Sequence, residues 1–147
     1  MAQKFAVFDI DGTLIRWQLY HAIVDKLAKA GHIDSSAFAK VREARMTWKR
    51  RSGETSYNDY EQALVRAYEA AITNISVDEL MSAVSDVFEE YKDQTYTYTR
   101  NMVRELKEQG YLLFAISASQ ADIVGLLAQY YGFDDFGGSV YETAKGR

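Results

Sequence analysis

The sequence predicts an α/β fold, in which a partial parallel sheet carries a large helical insertion. Continuous apolar runs at residues 5–8 and 112–116 have the composition of strands covered on both faces, as strands in parallel sheets are. About 100 residues separate the two runs, far more than a simple crossover needs, and most of them have helical apolar spacing. We therefore predict a core formed by residues 1–16 and 99–147, and an inserted helical cap formed by residues 17–98.

Five helices are predicted within and just after this insertion. Their predicted ranges are 18–30, 36–51, 57–73, 77–93 and about 100–109. Asp34 or Ser35 can cap the second helix, and Ser56 can cap the third. Ser76 and Glu79 have the S-x-x-E spacing of a capping box at the start of the fourth.

After the second strand, the sequence predicts one more helix and one more strand. Ser119 is the predicted N-cap of a helix over residues 120–131, which Gly132 ends. The last residues, "FGGSVYETAKGR", are predicted to form a strand and the beginning of a hairpin, with Lys145 and Gly146 in its turn.

Composition excludes several classes of protein. The 147 residues suffice for about one domain, and 48% hydrophobic with 26% charged residues is a globular balance. The net charge of -4 argues against a general nucleic-acid binder. The absence of cysteine excludes disulfides, thiolate zinc sites and a cysteine nucleophile. No apolar window is long enough for a membrane span or a signal peptide, so we expect a soluble cytoplasmic protein that binds neither nucleic acid nor membrane.

Two acids follow the first strand directly. In an extended chain Asp9 and Asp11 point to the same side, about 6.6 Å apart, beyond the carboxyl end of the strand. Open α/β sheets bind their ligands at this end. Gly12 permits a sharp turn, and Thr13 adds a hydroxyl close by. Because isolated charge is costly to hold near a buried strand, a ligand that compensates it is expected here.

Three other interpretations would also account for a pair of acids at a strand end. A calcium loop starting at Asp9 would need Gly and Glu where the chain has Leu14 and Tyr20, so that interpretation fails. A receiver domain would place an acid at the end of a later strand, where this chain has Ser117. A pair of turn-capping acids remains open, because Asp-Gly is common in turns.

Two segments together resemble a known family. "FDIDGTL" (8–14) resembles the first signature of the haloacid dehalogenase (HAD) superfamily, and "LLFAISAS" (112–119) resembles the second, a strand that ends in Ser or Thr. The helical insertion is similar to the C1 cap of the phosphoserine-phosphatase-like branch, subfamily IB. The resemblance covers the whole chain and implies a HAD-like Rossmannoid core with a magnesium-dependent phosphatase activity.

The resemblance assigns roles to both acids. Asp9 would be the nucleophile, forming an aspartyl-phosphate. Asp11 would protonate the leaving oxygen and then deprotonate the attacking water. Mg²⁺ would bind the carboxylate of Asp9 and the backbone carbonyl of Asp11, offsetting the repulsion between Asp9 and an anionic substrate.

Four further residues are candidate phosphate ligands. The hydroxyl of Thr13 lies close in sequence to both acids. By resemblance, Ser117 would donate a hydrogen bond to a phosphoryl oxygen. Ala118 and Ser119 are expected to begin the next helix, and their backbone N–H groups would point toward the same anion. Ser117 could instead be a turn or cap serine, although Ser119 is the better cap.

The sequence departs from the family at its C-terminal end. The family's "GDSxxD"-like acidic motif is missing, because "FDDFGG" (133–138) has acids and glycines in the wrong order. Lys145, the only lysine after Lys107, is in the predicted hairpin turn and is a weak candidate for the family's later lysine. We expect that the chain stops before these motifs. An incomplete core would leave a strand as an edge and part of the apolar strand faces uncovered, which favours self-association.

The expected function is hydrolysis of a small phosphorylated metabolite. Arg16 and Gln18 stand where phosphoserine phosphatases usually carry an acidic residue, which makes phosphoserine a doubtful substrate. The alternative is a catalytically silent fragment or binding protein that keeps the fold.

Other side chains in the insertion have structural interpretations. The basic run at 42–51 could recognise an anionic substrate, but a solvated helix face is favoured. Tyr60 and Tyr68 have core spacing. His21 and His32 are expected to be surface or cap residues, because no metal-ligand spacing joins them.

Overall fold

The computed structural model describes residues 2–144, and this part of the chain folds into three strands and six helices. The predicted α/β class is confirmed. In chain order the elements are β1 (Phe5–Asp9), α1 (Leu19–Lys29), α2 (Ser35–Lys49), α3 (Ser56–Ile72), α4 (Val77–Tyr91), α5 (Thr97–Glu108), β2 (Leu112–Gln120), α6 (Ala121–Tyr131) and β3 (Asp135–Ser139). No helix in the described range has the length and apolar character required to cross a lipid bilayer.

The sheet is parallel throughout, in the order β1-β2-β3. Phe5 pairs with Leu112 and Asp9 with Ile116, so the carboxyl ends of β1 and β2 lie at one edge of the sheet. The predicted C-terminal strand is present as β3, which runs parallel to β2 and ends at Ser139, while residues 140–144 form no strand, so the hairpin stays a prediction. The predicted turn at Lys145 and Gly146 lies outside the described residues.

Residues 2–144 cover one face of the sheet and leave the other exposed. Phe8, Leu113 and Ala115 are buried on the covered face, and α6 packs against β2 and β3 there with Ile123 and Leu127 fully buried. Side chains of alternate parity, such as Phe5 on β1 and Ile116 on β2, are exposed. Residues 2–144 therefore do not supply the predicted cover on both faces of the two strands, and within these residues the expected edge strand and uncovered apolar face are present.

Helix ends follow local capping chemistry. The Asp34 carboxylate accepts hydrogen bonds from the N–H groups of Ser36 and Ala37, and hydrogen bonds from Ser36 and Ala37 lower the pKa of Asp34. The capping box is confirmed, since Ser76 N–H donates to Glu79 and Glu79 N–H donates to the Ser76 hydroxyl.

Two predicted N-caps are wrong. The N-cap of α3 is Thr55 and that of α6 is Gln120, rather than Ser56 and Ser119. Ser119 is instead the penultimate residue of β2, which extends four residues beyond the predicted end at Ile116.

The chain divides into two compact units. One contains the residues up to Ala22 together with Val84–Glu142, and the other contains Ile23–Ala83. Within 17–98 the only strand-type contact is a single bridge from Thr95 to Ile15, so this segment is helical as expected. The predicted domain boundaries stay a prediction.

The helical unit has an aromatic core with one charged pair. Tyr60 and Tyr68 are fully buried, as predicted. Arg45 donates to the Tyr60 hydroxyl oxygen (2.9 Å) and makes a bidentate contact with Asp25 at 2.9 and 3.2 Å. Trp48 stacks on the Tyr60 ring with a centroid distance of 5.4 Å. The Asp25–Arg45 pair thereby fixes one end of this core.

We expect the substitution Asp25→Ala to lower the free energy of unfolding by about 1–3 kcal/mol, because it leaves a charged hydrogen-bond donor largely without its acceptor. Urea denaturation measures this change. The double variant Asp25→Ala/Arg45→Met should recover most of the loss, since no unpaired charge remains. Asp86→Ala, at an exposed position of α4, is the control. A loss no larger than that of the control would contradict a stabilising role for the pair.

Candidate active site

The segment between β1 and α1 folds into a tight loop around the carbonyl of Ile10. The N–H groups of Thr13, Leu14 and Ile15 all donate to this oxygen at 2.9–3.2 Å. Gly12 has a φ of +74°, in the left-handed region where a side chain is strained, and its N–H donates back to Ile15. The D-x-D-G-T sequence therefore encodes a loop that holds its two acids at the carboxyl end of β1.

Asp9 is the exposed acid of the pair. It is the last residue of β1, and its carboxylate oxygen Oδ2 accepts a hydrogen bond of 2.6 Å from Thr13 Oγ1. This contact orients the carboxylate toward solvent. Thr13 is thus placed as a partner of Asp9, in addition to the phosphate-binding role that the sequence suggests for it.

Asp11 is the half-buried acid, and its carboxylate connects three segments. Leu19 N–H, at the beginning of α1, donates to Asp11 Oδ1 at 2.5 Å, and the Ser117 hydroxyl of β2 donates to Oδ2. Burial raises the pKa of Asp11, and the charge of Asp9 acts in the same direction, against hydrogen bonds from Ser117, Leu19 and Ser119.

The end of β2 extends this network toward α1. Ser117 and Ser119 are both buried, and Ser119 N–H donates to Ser117 Oγ at 3.0 Å. Tyr20 N–H donates to Ser119 Oγ at 3.1 Å. Ala118 is exposed, and its carbonyl accepts a hydrogen bond from Ser139 Oγ at 2.7 Å. Because β2 continues to Gln120, the expectation that Ala118 and Ser119 open a helix is wrong.

The structure brings five of the six predicted site residues into one hydrogen-bonded neighbourhood. These are Asp9, Asp11, Thr13, Ser117 and Ser119. The sequence did not reveal two further members of the site, the main-chain N–H groups of Leu19 and Tyr20, which donate hydrogen bonds to Asp11 and Ser119. No side-chain pattern could have revealed them, because every residue has an N–H group. His21, predicted to be a surface or cap residue, is buried and its ring contacts that of Trp17.

The acids considered for the missing family motifs, Asp134 and Asp135, lie toward the other end of the sheet, and Lys145 lies outside the described residues. Asp134 accepts a hydrogen bond of 2.8 Å from Leu113 N–H, near the beginning of β2. Asp135 is the first residue of β3. Lys107 donates to the Gly132 carbonyl, at the end of α6, and lies 3.7 Å from Asp134. Since the strands are parallel, these groups lie away from Asp9.

The oxygen donors near β1 fit part of a magnesium site. Mg²⁺ prefers oxygen ligands and is commonly held by one or two carboxylates, with water and substrate phosphate completing its shell. The exposed Asp9 carboxylate is such a ligand. Within residues 2–144 no cluster of three or more His, Asp or Glu side chains is placed to hold a metal. The described residues therefore provide an incomplete ligand set.

Comparison with known proteins supports the fold and the family. A family model for haloacid dehalogenase-like hydrolases matches residues 6–147. No curated protein matches the sequence. A solved structure of a protein of unknown function from Bordetella pertussis Tohama I superposes with a TM-score of 0.71 and 20% identity, covering 100% of this chain and 65% of that one.

Two further solved structures have the same fold. A substrate-bound phosphoserine phosphatase superposes with a TM-score of 0.63 at 16% identity, covering 100% of this chain and 60% of that one. A phosphoserine phosphohydrolase-like protein from Francisella tularensis subsp. tularensis SCHU S4 gives 0.61 at 14% identity, covering 98% and 62%. The chain thus spans between 60% and 65% of the length of these three structures.

We expect Asp11→Asn to stabilise the metal-free protein at neutral pH. Because burial raises the pKa of Asp11, the folded protein holds this proton more tightly than the unfolded chain does. The cost of the ionised carboxylate is therefore absent below its ordinary pKa of 3.8 and grows as the pH rises through the folded-state pKa.

Thermal unfolding in the presence of a chelator measures this effect across pH. Asp11→Asn should melt above the wild type at neutral pH, and the difference should disappear in acid. Asp86→Asn, at an exposed position of α4, is the matched control and should show no such trend. If the melting temperature of the wild type rises relative to that of Asp11→Asn as the pH rises, the upward direction assigned to the pKa of Asp11 is contradicted.

Proposed function

This chain belongs to the haloacid dehalogenase-like hydrolase family, and we propose that it is a magnesium-dependent phosphomonoester hydrolase, or the N-terminal part of one, that acts through an aspartyl-phosphate. The observation that carries the proposal is the pairing of two unlike carboxyl groups at the end of β1. Asp9 is exposed and oriented by Thr13, whereas the pKa of Asp11 is raised by burial. Such a pair suits a nucleophile beside a proton donor.

The first half-reaction transfers the phosphoryl group to the protein. A carboxylate oxygen of Asp9 attacks phosphorus and forms the new O–P bond, while the bond from phosphorus to the ester oxygen breaks. The leaving oxygen takes a proton from Asp11. The raised pKa of Asp11 supports this role, because it increases the fraction of the acid that is protonated before reaction.

The second half-reaction regenerates the acids. Asp11 removes a proton from water, and the water oxygen attacks the phosphorus of the aspartyl-phosphate. Inorganic phosphate leaves, Asp9 becomes a carboxylate again and Asp11 is protonated again. Both carboxylate oxygens of Asp11 accept hydrogen bonds in the structure, from Leu19 N–H and from the Ser117 hydroxyl. We infer that the Ser117 hydroxyl donates to a phosphoryl oxygen instead when substrate binds, which frees one oxygen of Asp11 for proton transfer.

The proposal assigns the remaining site residues to the phosphate and the metal. Thr13, Ser117 and the N–H groups of Ala118 and Ser119 would bind phosphoryl oxygens. The Asp9 carboxylate and the Asp11 carbonyl would hold Mg²⁺. When bound, Mg²⁺ lowers the repulsion between an anionic nucleophile and an anionic substrate.

The substrate class and the setting of the reaction are part of the same proposal. We infer a small phosphorylated metabolite in the cytoplasm. Two of the structures that share the fold are described as a phosphoserine phosphatase and a phosphoserine phosphohydrolase-like protein. Gln18 and Arg16 replace the expected acid after the first motif, which favours a substrate other than phosphoserine. We also propose that residues 17–98 form a helical cap.

A catalytically silent protein with this fold is the second candidate. Among residues 2–144 no cluster of three or more His, Asp or Glu side chains is placed to hold a metal. Lys107 donates to the Gly132 carbonyl after α6, and Asp134 accepts from Leu113 N–H of β2, both at the opposite end of the sheet from Asp9. A metal held without a further carboxylate binds weakly. Since Lewis-acid stabilisation is worth several kcal/mol, the 147-residue chain should turn over at least about 10³-fold more slowly than a complete relative.

Replacing Asp9 by Asn tests the proposed nucleophile. With p-nitrophenyl phosphate and Mg²⁺, we expect Asp9→Asn to abolish the residual turnover, a loss on the order of 10³-fold or more. Intact-mass measurement after rapid quenching should detect a phosphoryl adduct in the wild type and none in the variant.

Asp86→Asn is the control and should retain both turnover and adduct. An Asp9→Asn variant as active as the wild type would refute the assignment. A wild type with an adduct but no turnover would support Asp9 as the nucleophile and the second candidate as the better description of this chain.

A further inference from the structure

The side chain of Ser119 has no part in the reaction proposed above, which assigns only the N–H group of this residue to the phosphate. Ser119 is 3% exposed, and its Oγ accepts a hydrogen bond of 3.1 Å from Tyr20 N–H. It also lies close enough to Asp11 to share a hydrogen bond with the carboxylate. This buried hydroxyl therefore joins two distant segments beside the proposed proton donor.

The end of β2 holds Ser119 in a defined place. The register between β2 and β3 is irregular after Ile116, and residues 117–119 of β2 lie opposite Gly138 alone. Glycine permits this close approach, because a Cβ at position 138 would lie 2.9 Å from the Ser119 carbonyl oxygen. Ser119 N–H donates in turn to Ser117 Oγ at 3.0 Å. The Ser119 hydroxyl is thus presented from a closely packed strand end.

The first turn of α1 takes its hydrogen-bond acceptors from outside the helix. The first N–H groups of any helix have no acceptor within it, and Gln18, the residue before α1, is not of a type that favours N-caps. Leu19 N–H donates instead to Asp11 Oδ1 at 2.5 Å, and Tyr20 N–H donates to Ser119 Oγ. Asp11 and Ser119 therefore bind neighbouring N–H groups of one turn.

Substrate binding makes the orientation of Asp11 depend on this turn. In the proposed reaction the Ser117 hydroxyl leaves Asp11 Oδ2 for a phosphoryl oxygen, while Oδ1 stays bound to Leu19 N–H. The direction in which Oδ2 faces the leaving oxygen then depends on where Leu19 N–H lies. Because Ser119 ties the adjoining N–H group of Tyr20 to β2, it limits the movement of this turn relative to the strand.

We propose that the Ser119 hydroxyl positions Asp11 for proton transfer to the leaving oxygen, acting through the first turn of α1. This inference rests on the proposed function, since it concerns the same acid. Ser119 is a positioning residue in this role, because its hydroxyl exchanges no proton with the substrate and forms no bond to phosphorus. Its loss should therefore matter most where the reaction depends on protonation of the leaving oxygen.

Two substrates with different leaving groups test this role. The p-nitrophenolate group departs with little need of a proton, whereas the more basic phenolate depends on one. With Mg²⁺, Ser119→Ala should lower kcat for phenyl phosphate about tenfold and kcat for p-nitrophenyl phosphate about twofold at most. The ratio of the two rates should change about fivefold, and this ratio does not depend on the fraction of protein that is folded.

Three further variants make the result specific. Ser119→Thr keeps the hydroxyl and should keep the wild-type ratio. Ser56→Ala is the matched control and should also keep it, since Ser56 is buried and its hydroxyl donates to the Gly53 carbonyl at 2.8 Å. Asp11→Asn should change the ratio in the same direction as Ser119→Ala, and further.

Equal slowing of both substrates by Ser119→Ala would overturn the inference, and so would a Ser119→Thr variant with the same ratio as Ser119→Ala. These results leave the proposed function standing. An Asp11→Asn variant with the wild-type ratio would instead refute Asp11 as the proton donor, and the proposed function would fail together with the inference.

Amide hydrogen exchange of the full 147-residue chain, followed by NMR, gives a readout that needs no turnover. Ser119→Ala should speed the exchange of both Tyr20 N–H and Leu19 N–H roughly fivefold, because the two groups belong to one turn that has lost an acceptor. If only Tyr20 N–H exchanges faster, Ser119 does not act on Asp11 through α1, and the inference fails while the proposed function stands.

Discussion

The hydrogen bonds to the Asp11 carboxylate are the interaction on which the arrangement of the site depends. Leu19 N–H at the start of α1 donates to one oxygen, and the Ser117 hydroxyl in β2 donates to the other. One side chain thereby joins the loop after β1 to the next helix and to the neighbouring strand. Ser117 and Ser119 continue the connection to Tyr20 N–H. Without this acid, Leu19 N–H and the Ser117 hydroxyl would lose their acceptor.

The same placement gives Asp11 its chemical character. A carboxyl group removed from water resists ionisation, and the nearby charge of Asp9 strengthens this effect. The folded protein therefore bears an electrostatic cost at neutral pH that an amide would not bear. Asp9 differs because it is exposed at the strand end, where Thr13 holds it. Asp9 and Asp11 are separated by a single residue, yet their surroundings give the two carboxyl groups different exposure and different hydrogen bonds.

The sheet has a comparable asymmetry. Right-handed connections bring α6 onto one face, so Phe8, Leu113 and Ala115 are buried, while the residues of opposite parity remain exposed. The strand sequences do not encode this difference, because apolar residues occupy both parities in β1 and β2. Among the described residues β1 is an edge strand, and it carries the site at its carboxyl end.

The sequence by itself determined the strands that begin at Phe5 and Leu112 and the bounds of the six helices to within a few residues. It also determined the Ser76 capping box and the acid pair at the end of β1. These features depend on periodicity, caps and turns between residues close in the chain. Only the tertiary structure decided that β3 is parallel, that Ser119 binds Tyr20 N–H instead of capping α6, and that Asp134 serves the opposite end of the sheet. Each of these depends on which distant backbone group lies nearby, and a side-chain pattern carries no information about that.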